Sequence, residues 1–517
     1  MLKSTFAAAL ALTALPAASI AQAQSVTVAL NADIRSTNPG VNRDDNTDGV
    51  ELNMVEGLVG YRENGTVGPL LAEKVDQSAD GLTYTFHLRK GVKFHNGAPF
   101  SSADVLWSWQ RYMDPKTEWR CIADFDGRNG LKVVSATAPD ADTFVMTIDK
   151  PSSLFLDSLA RTDCGMTGIL NKESVNADGS WNKPIGTGPF KFVEWKHGEY
   201  VTVTRFDDYV SPPGDKVDGY AGNKKPLVKD VKFLVVPDAS TAKAGLLSGA
   251  VDIAQILASD SPELQQSGKV QVLTPTSAVK HVLLFQTRDP VMQNVKLRQA
   301  IAAALDMPQL VAAASDGIGR PNNSPIPASS AFSDAIQRQG YTYDPAKAKQ
   351  LLAEAGYKGE TIKIIANKRL TVPSFPAAVM AQAMLQAVGI NVEIEVLEWA
   401  TQLDRYNKGN YQMMSFSYSS RLDPALSFEQ FTGPKDKQPR KVWDNPEAQA
   451  LLDKASVLSD TAERQKLFDE LYRRQLVDTP LIIMFNGIET SAQGKRIQGQ
   501  PYWEGKQRLW GVSVAGN

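Results

Sequence analysis

Apolar and polar positions alternate with period two from Leu82 to Arg89, where Leu82, Tyr84, Phe86 and Leu88 interleave with Thr83, Thr85, His87 and Arg89. That is the pattern of a half-buried strand. Lys90-Gly91 then turns the chain, and Val92 and Phe94 read as a second short strand ending at Asn96-Gly97, a dipeptide that tolerates positive φ. The expectation is a hairpin. The period changes to that of a helix after Ser101, whose hydroxyl can cap it while Asp104 sits near the positive end of the dipole. Val105, Leu106, Trp109 and Met113 fall on one face of that helix.

The same reading predicts strands at Ser25 to Leu30, Leu131 to Ser135, Thr143 to Ile148, Leu227 to Val236 and Val279 to Phe285. Helices are expected over Asn53 to Leu58, Ser153 to Leu159, Ala239 to Leu247 and from Asn294, with Leu297, Ala300, Ile301, Ala304 and Leu305 inward. Asp344-Pro345 opens a helix with a cap and a proline at its first position, and Gly356 closes it. Ile362 to Ala366 reads as a strand. A helix with Met380, Ala383, Met384, Ala387 and Val388 on one face follows and stops at Gly389, and Ile390 to Val396 alternates as a strand. Strand, helix and strand joined by tight turns predict parallel pairing. Asp460 to Gln475 is an amphipathic helix, and Leu481 to Phe485 is a last buried strand.

Composition narrows the function. With 55 basic and 57 acidic side chains, the net charge of −2 offers no field to draw nucleic acid or an anionic membrane. The first residues combine Lys3, an apolar run from Phe6 to Leu15 and Ala21-Gln22-Ala23, the plan of a secretory signal peptide cleaved near Ala23. The expected product is exported, most simply to a bacterial periplasm. Cys121 and Cys164 are the only cysteines, and an exported chain leaves both a disulfide and two free thiols open. Four scattered histidines and no Cys-x-x-Cys argue against a structural metal, and no cofactor is expected. There is no Gly-x-Ser-x-Gly elbow, Walker loop or His-Glu-x-x-His, so no enzyme is expected. The turn at Pro184 to Phe190 (PIGTGPF) is stiff and is followed by no helix, unlike a dinucleotide loop.

The stretch DGLTYTFHLRKGVKFHNGAPFSSADV resembles the signature of the extracytoplasmic solute-binding proteins of family 5, which serve ATP-driven importers of peptides, opines and nickel chelates. The "GTGPF" turn, the segment from Asn294 to Ile301 and Glu398-Trp399 resemble further elements of that family. The resemblance implies an α/β, two-lobed periplasmic-binding-protein fold of type II, with mixed sheets, a hinge near Ala278 to Gln286 and an extra subdomain. On that plan residues 1–23 are the signal peptide, 24–57 and 185–280 form lobe I, and 58–184 are its subdomain. Residues 281–484 are then lobe II, and 485–517 return to lobe I.

The family's ligand-facing positions map onto Trp399 and Ser420, and Tyr418, alternating with serines on a strand that enters the cleft, and Asp423, which opens the next helix, are expected to join them. Peptide-binding relatives have an aspartate where this chain has Ser420, with Arg421 beside it, which points toward an anionic or opine-like compound. Lys368 and Arg369 occupy a segment that reaches the ligand's carboxylate in relatives. Trp119 and Arg120 either line the cleft or pack on a neighbour. The expectation is a monomeric receptor for a peptide-like or opine-like solute that delivers it to an inner-membrane permease. A secreted peptide hydrolase and a nickel-chelate or haem carrier are the alternatives.

Overall fold

The computed structural model describes residues 25–42, 44–369, 372–436 and 438–515. The signal peptide expected over residues 1–23 lies outside them. No helix among the described residues is long and apolar enough to cross a membrane.

The strands and helices that position the site are β1 (Ser25–Leu30), α1 (Asp45–Glu51), β2 (Ala72–Gln77), β3 (Thr83–Leu88), α2 (Ser102–Met113), β4 (Val133–Asp140) and β5 (Thr143–Ile148). They continue with β6 (Phe190–Lys196), β7 (Tyr200–Arg205), β8 (Asp230–Val235), β9 (Ile253–Gln255), β10 (Val270–Leu273), β11 (Thr276–Phe285) and α3 (Val295–Ala304). The last group is β12 (Ile362–Ala366), α4 (Ser374–Ala387), β13 (Val392–Val396), α5 (Trp399–Lys408), β14 (Met413–Tyr418), α6 (Pro424–Glu429), β15 (Leu481–Ile488) and β16 (Ser491–Gly494). A seven-stranded mixed sheet has the order β10-β16-β9-β1-β8-β7-β6, and a five-stranded one the order β13-β12-β14-β11-β15. A third sheet, β2-β3-β5-β4, carries the segment with which the sequence reading began.

That segment keeps its strand and its helix but not its hairpin. Tyr84, Phe86 and Leu88 are buried as expected, and β3 pairs with β2 and β5 rather than with Val92 to Phe94. Residues 92–100 instead fold back tightly around Asn96-Gly97, with Lys93 bridging Pro99. β2 is itself a sequence neighbour, joined to β3 through residues 78–82, and β5 comes from about 60 residues further on; a three-residue strand has too few ladder bonds to displace either. Ser101 and Asp104 form the reciprocal capping box of α2. The strand expected at Leu131 starts two residues later, at Val133.

Helix α1 sits earlier than the Asn53 to Leu58 expected, because Asp44 caps it by accepting from the amide of Thr47. Residues after Met54 run extended beneath the PIGTGPF turn. A Cβ on Gly186 would lie 2.3 Å from the Met54 carbonyl oxygen and one on Gly188 2.6 Å from its carbon, so the two glycines permit this close crossing. A buried ion pair closes the same junction. Lys224 Nζ lies 3.1 Å from Glu56 Oε1, in contact without a directed hydrogen bond, and both side chains are fully buried. Tyr209 and Thr187 donate to the two oxygens of Glu56 at 2.7 and 2.9 Å, and Lys224 stands 4.4 Å above the Trp510 ring.

In the five-stranded sheet, β12 pairs in parallel with both β13 and β14, as the strand-helix-strand pattern predicts. The buried face of α4 is Ala377, Ala378, Ala381 and Leu385, not the methionine face expected. Small alanines let the helix approach the sheet closely, while Met380 and Met384 pack at the edge of that core. The chain passes between the two large sheets at Thr274-Pro275 and again at Glu489-Thr490, and the Glu489 amide donates to the Pro275 carbonyl at 2.9 Å. The crossover therefore precedes the expected Ala278 to Gln286, of which all but Gln286 lies within β11. Cys121 and Cys164 are joined by a disulfide in the subdomain, their Cα atoms 5.8 Å apart.

Candidate functional site

Because β12 and β14 run parallel, their carboxyl ends emerge at the same edge of the sheet. There Ala366 leads into Asn367, Lys368 and Arg369, and Tyr418 leads into Ser419, Ser420 and Arg421. Open α/β sheets bind ligands beyond this edge, where diverging loops leave a crevice. β11 runs antiparallel to β14, so its first residues and the crossover to the other sheet border the same edge. The edge thus faces the seven-stranded half of the molecule.

Trp399 begins α5 at that edge, half-buried. It stacks on Phe416, ring centroids 5.8 Å apart, and Tyr406 stacks on the other side of Phe416 at 4.4 Å. Arg369 places its guanidinium 4.8 Å above the Trp399 ring, and Lys368 its ammonium 4.5 Å above Phe375. The fold brings together a cation and an aromatic face that lie thirty residues apart in the sequence, an arrangement that gains where water is partly excluded. Tyr418 is buried among Tyr406, Phe416 and Phe431, so it supports the wall from behind.

Arg421 is half-buried, and its Nη1 donates to the Ser420 carbonyl at 2.7 Å and to Ser419 Oγ at 3.2 Å. Ser420 Oγ donates at 2.8 Å to Oε2 of Glu504, a residue of the tight turn between Tyr502-Trp503 and Lys506-Gln507. The amide of Ala278, just past the crossover, donates to both oxygens of the same carboxylate at 3.1 and 3.2 Å. Glu504 thereby joins the C-terminal segment to the edge loop and to the first residues of β11. Burial raises the Glu504 pKa, and burial together with Glu504 pushes Glu489 up to about 8.

Three residues expected at the site have other work. Asp423 caps α6 through the Ala425 amide and pairs with Arg464, both at 2.8 Å, so its carboxylate is occupied inside the lobe. Trp119 is 2% exposed, stacked against Phe125 with its Nε1–H donating to the Cys164 carbonyl at 3.0 Å, and faces the subdomain interior rather than a cleft. Arg120 donates to the Asp163 carbonyl at 2.7 Å and to its carboxylate at 3.3 Å beside the disulfide. Glu504 and Lys280 were not singled out from sequence. The lysine alone left a signal, as the single charge inside the run VKHVLLF.

Residues 66–439 match the family described as bacterial extracellular solute-binding proteins, family 5 Middle. The chain belongs to this family. Among family 5 relatives, it is 28% identical to heme-binding protein A of Haemophilus influenzae, over 89% of this chain and 86% of that one. It is 30% identical to di/tripeptide-binding protein 4 of Pseudomonas aeruginosa, over 84% and 85%. Among solved structures, HbpA2 from Haemophilus parasuis superimposes with a TM-score of 0.81 at 26% identity, covering 95% of this chain and 99% of that one. AgaA from A. tumefacien R10, solved in complex with agropinic acid, gives 0.68 at 27% identity over 95% and 99%. The two-lobed α/β family 5 fold accounts for the two large sheets and their paired crossovers.

Proposed function

We propose that this family 5 protein is the periplasmic receptor of an ATP-driven importer, capturing a peptide-like or opine-like solute between its lobes and releasing it unaltered to an inner-membrane permease. It acts as a monomer and performs no chemistry on the solute. The observation that carries the reading is the convergence of Arg421, Ser420, Arg369 and Trp399 on one sheet edge beside the crossover. Arginine forks onto carboxylates, and the Trp399 face takes an apolar or cationic part of the solute. Lys368 adds a positive charge at the rim, and Tyr418 stiffens the wall. The similarity to a di/tripeptide-binding protein and to a structure holding an opine supports both solute classes.

The test is a thermal-shift panel of di- and tripeptides, opines, nickel chelates and haem. A peptide or opine raises the melting temperature with concentration in the wild type. Trp399→Ala and Arg421→Ala melt normally and lose the rise. A response to haem alone, or unaltered responses in both variants, removes this reading.

A further inference from the structure

Lys280 lies in the middle of β11, between Tyr418 of β14 and Asn486 of β15, with no part of it exposed. Its Nζ donates to the Ala278 carbonyl at 3.0 Å and to Ser427 Oγ at 3.3 Å. Ser427 Oγ in turn donates to the Arg421 carbonyl at 3.1 Å. A chain of hydrogen bonds therefore runs from the ammonium through α6 to the backbone of the loop that presents Arg421. Among the described residues the hydrogen-bond partners of this ammonium are a carbonyl and a hydroxyl rather than a carboxylate, although Glu504, held by Ala278 and Ser420, is near enough for its charge to act on it. A buried cation lacking a counter-ion in direct contact is a costly arrangement in a folded protein, and it invites an anion from outside.

We propose that Lys280 is a positioning residue for the solute's anionic group: it holds the Ser420–Arg421 loop from beneath and supplies a second positive charge behind Arg421, so that capture of a carboxylate takes up a proton. The inference rests on the proposed role of Arg421 and deepens it by assigning a negatively charged solute. Burial, and next to it the Arg421 charge, lower the Lys280 pKa to about 7, against which Glu504 pulls upward. The Lys506 charge acts on the Glu504 pKa in the lowering sense, and the Glu504 charge in turn raises that of Glu489. A carboxylate at Arg421 restores the protonated form. Carboxylate affinity is then full when Lys280 is charged, below about pH 7, and declines as pH rises through that value. One unit of pKa change on binding alters affinity by about tenfold.

The experiment uses the full mature chain and an exhaustive casein digest of di- and tripeptides, half of it amidated at the C-terminus. Peptides retained through gel filtration at pH 6 and at pH 8.5 are counted by mass spectrometry. The wild type prefers free acids to amides, and the preference falls severalfold at pH 8.5. Lys280→Met shows a small preference that does not change with pH. Ser427→Ala, which keeps the charge, retains less peptide and keeps the pH dependence. A wild-type preference that is flat with pH overturns the proposal even if the methionine variant fails to fold. So does a pH dependence that survives in a folded Lys280→Met. Retention of no peptide at all instead refutes the peptide reading beneath it, and the proposal falls with that reading.

Discussion

Replacing Lys224 by methionine removes one charge from a pair that is wholly buried. Glu56 keeps two hydroxyl donors, Tyr209 and Thr187, but loses its counter-ion, and the Trp510 ring loses the cation above it. Stranding one member of such a pair costs about 3–5 kcal/mol, because the remaining charge stays out of water. At about 2 °C per kcal/mol for a unit of roughly 250 residues, the expected fall in melting temperature is about 6–10 °C. Lys224→Met combined with Glu56→Gln has no stranded charge, and it recovers most of the loss. Differential scanning calorimetry with circular dichroism measures both variants under one buffer. The reasoning fails if the single variant melts within a degree of wild type. It fails equally if the double variant is no more stable than the single one, since packing rather than charge would then set the cost.

Three further outcomes follow from other parts of the molecule. Converting Cys121 and Cys164 to serine removes a cross-link spanning 43 residues of sequence, worth about 4 kcal/mol by loop closure, and thermal melting with and without reductant checks it. Asp423→Asn weakens the Arg464 pair and lowers stability by about 1–3 kcal/mol, while solute affinity in the stable fraction is unchanged; calorimetric titration separates the two. Glu489 has a folded-state pKa raised to about 8, so the folded protein binds an extra proton relative to the unfolded chain between the ordinary carboxylate range and that value. Its stabilising contribution is full at acid pH and is lost as pH rises toward 8. Glu489→Gln therefore gains stability over wild type at pH 8 and not at pH 4, as urea melts at the two pH values would show.

Local signals were the readable part of this chain. Ser101 with Asp104, and Asp344-Pro345 with Gly356, mark helix ends in the sequence because capping is settled by side chains within a few residues of the backbone groups they satisfy. The parallel β12-α4-β13 unit follows from period and turn length in the same way. Partner choice was less readable. β3 pairs with the strand before it and with distant β5 rather than with Val92 to Phe94, and α4 buries alanines rather than methionines; the β5 pairing and the helix face depend on how closely distant surfaces approach. At the site, Trp399, Arg369 and Arg421 were named from the sequence through family resemblance, and the structure gathers them at one edge. Glu504 was out of reach, since its bond to Ser420 spans 84 residues and nothing in either segment announces the other. Trp119 shows the opposite error: an aromatic beside an arginine in a polar loop looks like a binding surface until the disulfide and Phe125 enclose it.

The central claim is reversible capture without chemical change, and recovery of the solute tests it most directly. The purified protein is incubated for hours with the solute identified by thermal shift, then denatured, and the released small molecules are weighed by mass spectrometry. The account predicts one molecule per chain, returned at its original mass. Fragments that accumulate beyond the amount of protein would contradict it.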